Sequence, residues 1–195
     1  MIERSIILEG NFVRLEEVKP EFFEYIIEWR NKPDNNKFLN QPFKLTAELQ
    51  NKWYEEKYMH DMTQGLLVMV DKSNDVPFGT IGWTDYNKNE RICIAGRSLV
   101  GNLDYRASKE QTESYILLYD YLYYTLDVNV MYIHVVDDNK RVISLNKRWG
   151  FKENLAEIRF PDELNVQGMK QTEYLRTCDE YVVFRNKFIN ILNLL

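Results

Sequence analysis

The sequence predicts an α/β (α+β) fold: a mixed sheet with helices on both faces. Three observations carry this. Short runs of apolar–charged alternation, or of continuous apolar residues, recur between turn residues such as Asn, Asp, Gly and Pro, as strands do. Segments with apolar residues at three- and four-residue spacing lie between them, as in helices that bury one stripe. The resulting order, β-α-α-β-β-β-α-β-α-β-β, needs helices on both sides of the sheet. A length of 195 residues fits one domain, read as residues 1–195 with a core of 1–187 and a short apolar tail of 188–195.

Each element has its own warrant. Asn11 to Val18 places Phe12, Val13, Leu15 and Val18 among charged residues and reads as the first strand. Pro20 precedes a helix, Glu21 to Arg30, whose apolar face holds Phe22, Phe23, Tyr25, Ile26, Ile27 and Trp29. Residues 31–36, Asn-Lys-Pro-Asp-Asn-Asn, have the chemistry of a loop. Thr46 is placed to N-cap a second helix, Ala47 to Met59. Gly65 opens the strand Leu66 to Val70, and Asp71 to Pro77 turns the chain into the strand Phe78 to Tyr86. Asn87-Lys88-Asn89 signals a hairpin into Arg91 to Val100.

A long helix is expected over Lys109 to Leu126, with Tyr115, Leu118, Tyr119, Leu122 and Leu126 as its buried stripe. Val130 to Val136 reads as a strand and Arg141 to Trp149 as a helix. Two further strands are expected at Leu155 to Phe160 and Glu180 to Phe184, with an extended loop, Pro161 to Thr172, between them.

Composition narrows the function classes. No run of about 18 apolar residues exists, so no membrane span is expected. The N-terminus lacks a basic region followed by an apolar block, so the expected compartment is cytoplasmic. Net charge is −5 with no basic cluster, which gives no support for nucleic-acid binding. Cys93 and Cys178 lie far apart, as free thiols in a reducing compartment would. The two His residues are more than 70 positions apart and no Cys pair lies near them, so no metal signature exists.

The most informative stretch is Asp138 to Glu153: an Asn at the end of a strand, an amphipathic helix, then Gly-Phe. It resembles the fourth helix of the GNAT superfamily of acyl-CoA-dependent N-acyltransferases, and the order of elements is similar along nearly the whole chain. Trp29-Arg30-Asn31 is similar to the branch holding ribosomal-protein N-terminal and amino-sugar N-acetyltransferases. The resemblance implies a mostly antiparallel central sheet of about seven strands, in which the fourth strand splays from the fifth. It also implies acetyl-CoA as co-substrate, whose pantetheine arm would pair with Ser98, Leu99, Val100 and Gly101 as an added strand would.

The cofactor's pyrophosphate would meet Tyr105 to Gln111. The family pattern there has Arg or Gln, two residues, Gly, one residue, then Gly or Ala. Arg106 matches the first position, while Lys109 and Gln111 stand at the small-residue positions. Glycine would let phosphate approach the helix N-terminal amides, and the helix dipole favours an anion there. Ser108 and Gln111 instead form a Ser-x-x-Gln capping box, in which Gln111 is expected to return to the Ser108 amide and compete with a phosphate. Arg106 and Lys109 can supply charge in place of close backbone contact; otherwise the cradle is closed.

Asn139 keeps the family's Asn, which hydrogen-bonds pantetheine or the reacting region; it can equally be a turn residue or N-cap. Val142 stands where a small Ser or Ala is usual. Asn146 stands where a Tyr protonates the leaving thiolate, a step Asn cannot perform.

On the acceptor side, Asp85, Glu90 and His134 are placed to act as base. Asp85 can equally cap a turn, and His134 can be structural. Trp29, Trp53, Trp83, Tyr86 and Tyr105 are expected near the acceptor cleft, most of them as packing. His60 is expected on the surface. The implied partner is a small-molecule or peptide amine, and the chain is expected to be a monomer or homodimer. Two other readings stay open: a non-catalytic module of the same fold, and an enzyme using a donor such as acyl carrier protein.

Overall fold

The computed structural model describes residues 4–161 and 165–194. The strands are β1 (Ile7–Glu9), β2 (Val13–Glu17), β3 (Gly65–Asp71), β4 (Val76–Asn87), β5 (Ile92–Val100), β6 (Val130–Val136), β7 (Lys152–Glu153), β8 (Asn165–Val166) and β9 (Met169–Thr177). The helices are α1 (Phe23–Asn31), α2 (Pro33–Asn36), α3 (Ala47–Glu56), α4 (Lys109–Asp120), α5 (Lys140–Arg148) and α6 (Cys178–Leu194). The sheet order is β1-β2-β3-β4-β5-β6-β9-β7, with β8 paired to β9 alone. Every pairing is antiparallel except β5 with β6. This is the mixed, mostly antiparallel sheet with helices on both faces that the sequence predicts.

Two cores explain the pattern. On one face, Leu15, Leu67, Met69, Ile81, Trp83, Cys93, Ala95, Met131, Ile133 and Val135 meet Tyr115, Leu118 and Tyr119 of α4, Leu122 just beyond it, and Tyr181 and Leu192 of α6. On the other, Leu66, Val68 and Val70 meet Phe23, Ile26 and Trp29 of α1 together with Tyr58. β3 is therefore buried along its whole length, which is why it reads as a continuous apolar run.

Local signals mostly hold. The Thr46 hydroxyl accepts the Leu49 amide at the start of α3. The long helix runs as α4 and continues through a wider π turn, Tyr121–Thr125, closed by the Leu126 amide on the Tyr121 carbonyl at 3.0 Å. Gly150 takes φ +86°, a left-handed conformation that ends α5, and the Phe151 amide returns to the Asn146 carbonyl at 3.1 Å. At the other edge, the buried Glu113 of α4 accepts the amides of Asn11, Phe12 and Val13 at 2.8, 2.7 and 3.0 Å, clamping the β1–β2 turn beside the start of α4.

Several expectations are corrected. β1 precedes the first expected strand. Residues 31–36 are not wholly loop: Pro33 starts the short helix α2, where its missing N–H leaves no bond unmade. Leu155 to Phe160 is not a strand but a loop held by Glu173 (below). Glu180 to Phe184 is not a strand either; it belongs to α6, and residues 188–194 continue that helix, so they are no separate tail. Tyr181, Arg185, Phe188 and Leu192 recur at four, three and four residues. Arg185 bonds both oxygens of Asp120 at 2.7 Å, and Phe188 stacks on Trp149 with centroids 3.7 Å apart. The expected loop 161–172 gives way at its end to β9, whose buried positions are largely polar (Gln171, Glu173, Arg176) and therefore invisible to a hydrophobic pattern. Leu195 and residues 162–164 lie outside the described residues. Among the described residues no helix is long and apolar enough to cross a membrane.

Candidate active site

The sheet opens where two neighbours part. β5 and β6 are in register only at Ile92–Val130, Cys93–Met131 and Ile94–Tyr132. Beyond that, β5 stays with β4 as far as Val100, and β6 stays with β9 as far as Val136. Ala95–Val100 and Ile133–Val136 thus face one another unpaired across a wedge. The cause lies in β5: its register with β4 shifts between Gly82 and Thr80, and Arg97 takes φ 51°. A bulge of this kind bends its strand and increases its twist. Leu99 and Val100 both lie on the unpaired stretch, where an extended ligand can pair with the free edge.

The helix that follows begins at the wedge. Ser108 caps α4 by accepting the Gln111 amide at 3.0 Å. The expected return of Gln111 to the Ser108 amide does not occur. Its Oε1 instead accepts the Ala107 amide at 2.6 Å, because Ala107 sits at φ 60° and points its N–H inward, while the Ser108 amide bonds the Tyr105 carbonyl at 3.2 Å. The amides of Lys109 and Glu110 have no partner among the described residues, so the cap leaves half of the helix N-terminus open. The Lys109 ammonium lies over the Phe12 ring at 4.2 Å. Arg106 ion-pairs with no carboxylate among the described residues. Burial lowers its pKa, and so does the nearby charge of Arg141.

Arg141 was not singled out from the sequence. It lies in the first turn of α5, two residues after Asn139, and its charge also reaches the buried Tyr115 of α4, whose hydroxyl is 2.7 Å from the Ser98 Oγ of β5. Asn139 caps α5 through a long bond, 3.4 Å from its Oδ1 to the Val142 amide, and its Nδ2 has no partner among the described residues. Asn146, one turn beyond Val142, is buried, and its side-chain amide also has no partner there.

The acceptor residues are less concentrated. Met131, Ile133 and Val135 face α4, so Tyr132 and His134 face the opposite side, where α1 and α3 pack. His134 is almost buried, and its Nε2 lies 3.0 Å from the Glu173 carboxylate. Glu173 also accepts the amides of Arg159 and Phe160 at 2.9 and 3.1 Å and Nδ2 of Asn154 at 2.6 Å. This pair anchors the 154–160 loop on the side of the sheet opposite α4. Asp85 is exposed at φ 52°, where β4 bulges, and lines a cavity of about 450 Å³ with Tyr86, Lys88, Arg159 and Phe160. Glu90 pairs with Arg159. Trp83 faces α4 in the core instead of the cleft, and Tyr105 stacks on Phe78 with its hydroxyl on Asp71. His60 is exposed.

Burial alone would raise the Glu173 pKa. The Arg159 amide, His134, Asn154 and the Phe160 amide outweigh it and hold the carboxyl below its usual range. A depressed carboxylate stabilises the fold above its unfolded pKa of about 4.3, and that contribution is lost as pH falls through the folded value. Glu173→Ala is expected to destabilise the protein by about 3 kcal/mol at pH 7, since four donors lose one acceptor. Glu173→Gln should flatten the fall in stability between about pH 5 and pH 3. Urea titrations across that range check both; an unchanged acid limb in the Gln variant would contradict the assignment.

Residues 13–152 match the acetyltransferase (GNAT) domain, and the chain belongs to that family. A GCN5-related N-acetyltransferase from Brucella melitensis superposes with a TM-score of 0.79 at 18% identity, over 97% of this chain and 86% of that one. Apo FdhC, a nucleotide-linked sugar GNAT, gives 0.75 at 17%, over 96% and 99%. Spermidine N-acetyltransferase from Vibrio cholerae, in complex with CoA and spermine, gives 0.74 at 14%, over 89% and 99%. At such identities these likenesses establish the fold. No curated protein matches the sequence.

Proposed function

We propose that this chain transfers an acetyl group from acetyl-CoA directly to a primary amine. The β5–β6 wedge carries the reading: two free backbone edges converge on a helix N-terminus with two unpaired amides. Acetyl-CoA supplies the activated acyl group as a thioester. The residues present fit such a donor. Arg106, Arg141 and the Lys109 and Glu110 amides would meet its phosphates, with Lys109 and the Ser108–Gln111 cap shaping the approach. The backbone of Leu99 and Val100 and the side chain of Asn139 would hold the pantetheine arm, and an amide near Leu99 would face the developing oxyanion.

Direct transfer fits the thiols. Cys93 is fully buried on the α4 side of the sheet, and burial pushes its pKa up to about 12, so it does not present a thiolate to the wedge. Deprotonation of the amine falls to Asp85 or His134. Asp85 is open to solvent, while His134 already spends Nε2 on Glu173. Asn146 can donate a hydrogen bond to the thioester region but no proton.

A thermal melt with 1 mM acetyl-CoA tests the reading. A dissociation constant near 10 μM would stabilise the fold by about 2.7 kcal/mol and raise Tm by about 5 °C or more. No shift at that concentration would overturn it. The second reading, a non-catalytic module, is favoured by the absence of an acid at Asn146. It predicts the same shift without thiol release when an amine library is added.

A further inference from the structure

Two arginines on the acceptor face lack a counter-ion. Arg97 is the bulge residue of β5, beside the wedge. Its Nη2 donates to the Gln64 side chain, its guanidinium lies 5.8 Å from the Trp53 ring, and its Nη1 is buried with no partner. Arg30 lies in the last turn of α1, and among the described residues its guanidinium has one partner, Gln41, which accepts from Nε at 2.7 Å. Neither forms an ion pair among the described residues. The charge of Arg30 acts unfavourably on Arg97, and burial disfavours both cations. The acidic groups whose fields reach Arg97 are Asp61 and Asp85, with the Tyr58 phenol. Asp61 is already spent on Thr63 and Gln64. Nη1 and Nη2 of Arg30 and Nε and Nη1 of Arg97 have no acceptor among the described residues.

Two part-buried guanidiniums with idle donors, each lacking a counter-ion, are favoured by a bound oxyanion through charge-assisted hydrogen bonds. Arg97 belongs to the strand that bounds the wedge, so the group it binds must lie on the acceptor molecule near the reacting nitrogen. We propose that the acceptor is a primary amine carrying an oxyanion, carboxylate or phosphate, which Arg97 and Arg30 clasp. The inference rests on the acetyl-transfer reading and gives it a substrate class. The same charges disfavour a polycation.

Matched acceptors test it. Thiol release from acetyl-CoA is measured with each L-amino acid against its C-terminal amide, with glucosamine 6-phosphate against glucosamine, and with spermidine. The anionic member of a pair should be preferred by about tenfold or more in kcat/KM, mainly through KM, since leaving such donors unpaired is what rejects the wrong substrate. The amino-acid arm winning names a carboxylate; the sugar arm winning names a phosphate. Arg97→Gln and Arg30→Gln should each bring the ratio near one without changing the dissociation constant for acetyl-CoA. Equal use of neutral and anionic twins, preference for spermidine, or an equal loss on both twins in the variants would overturn the proposal. If acetyl-CoA itself fails to bind, the acetyl-transfer reading fails; calorimetry of the same anionic amines on the protein alone then decides whether the arginine pair binds them, and no heat overturns this proposal too.

Discussion

Replacing Arg106 and Arg141 together by alanine should raise the dissociation constant for acetyl-CoA by about a hundredfold, with each single change near tenfold. Without a ligand, the charge of Asp34 favours the Arg106 cation, but no ion pair forms between them. Neither arginine ion-pairs with a carboxylate among the described residues, and burial, then the charge of Arg141, lowers the pKa of Arg106. Two like charges held together are relieved by an anion between them, and the free amides of Lys109 and Glu110 complete its surroundings. Because the pair is close, the double change can depart from the product of the singles. Calorimetry checks the numbers, with pantetheine as the control: lacking the phosphates, it should bind wild type and double variant alike. For acetyl-CoA, the difference between wild type and double variant should shrink with added salt. An unchanged constant for acetyl-CoA would place its phosphates elsewhere.

This pair also marks the limit of what the chain discloses before folding. Arg106 and Asn139 could be found because they stand at fixed distances from a helix start and from Gly150. Arg141 could not, since its value comes from facing Arg106 across two helix N-termini far apart in sequence. The same holds for Arg30 and Arg97, which belong to α1 and β5. Strands with apolar faces, such as β3 and β6, were legible almost to the residue. β9 was not, because Gln171, Glu173 and Arg176 occupy its buried positions and make a central strand look like a loop. α6 was misread at 180–184 because Tyr181-Val182-Val183-Phe184 is strand-like by composition. The four- and three-residue spacing from Tyr181 through Arg185 and Phe188 to Leu192 was the signal that could have identified it. The Ser108–Gln111 cap was read correctly in kind and wrongly in partner, because the left-handed turn at Ala107 is a backbone choice that side-chain chemistry does not announce.

Arg176 carries the largest expected effect on stability. It is fully buried, and no carboxylate pairs with it among the described residues. Its guanidinium lies 4.4 Å from the Tyr119 ring, 4.3 Å from Phe151 and 4.6 Å from Tyr181. Nη1 donates to the Trp149 carbonyl at 2.6 Å, and Nε donates to the Tyr123 hydroxyl, which itself donates to the Arg176 carbonyl at 2.8 Å. The aromatic faces and two oxygens thus stand where a counter-ion would. Arg176→Ala leaves a cavity among β6, α4 and α6 and strips the Trp149 carbonyl of its donor, so a loss of about 4 kcal/mol in urea unfolding is expected. Arg176→Met keeps the volume and removes the buried charge, so it should recover about half of that loss. A Met variant more stable than wild type would mean that desolvating the cation outweighs everything the cage returns. The change should also reach the site. The bond to Trp149 fixes the end of α5, and the start of that helix presents Asn139 and Arg141 to the wedge. Arg176→Met is therefore expected to weaken acetyl-CoA binding several-fold although it touches no part of the cofactor cradle, and Arg106→Ala should leave the urea midpoint where it was.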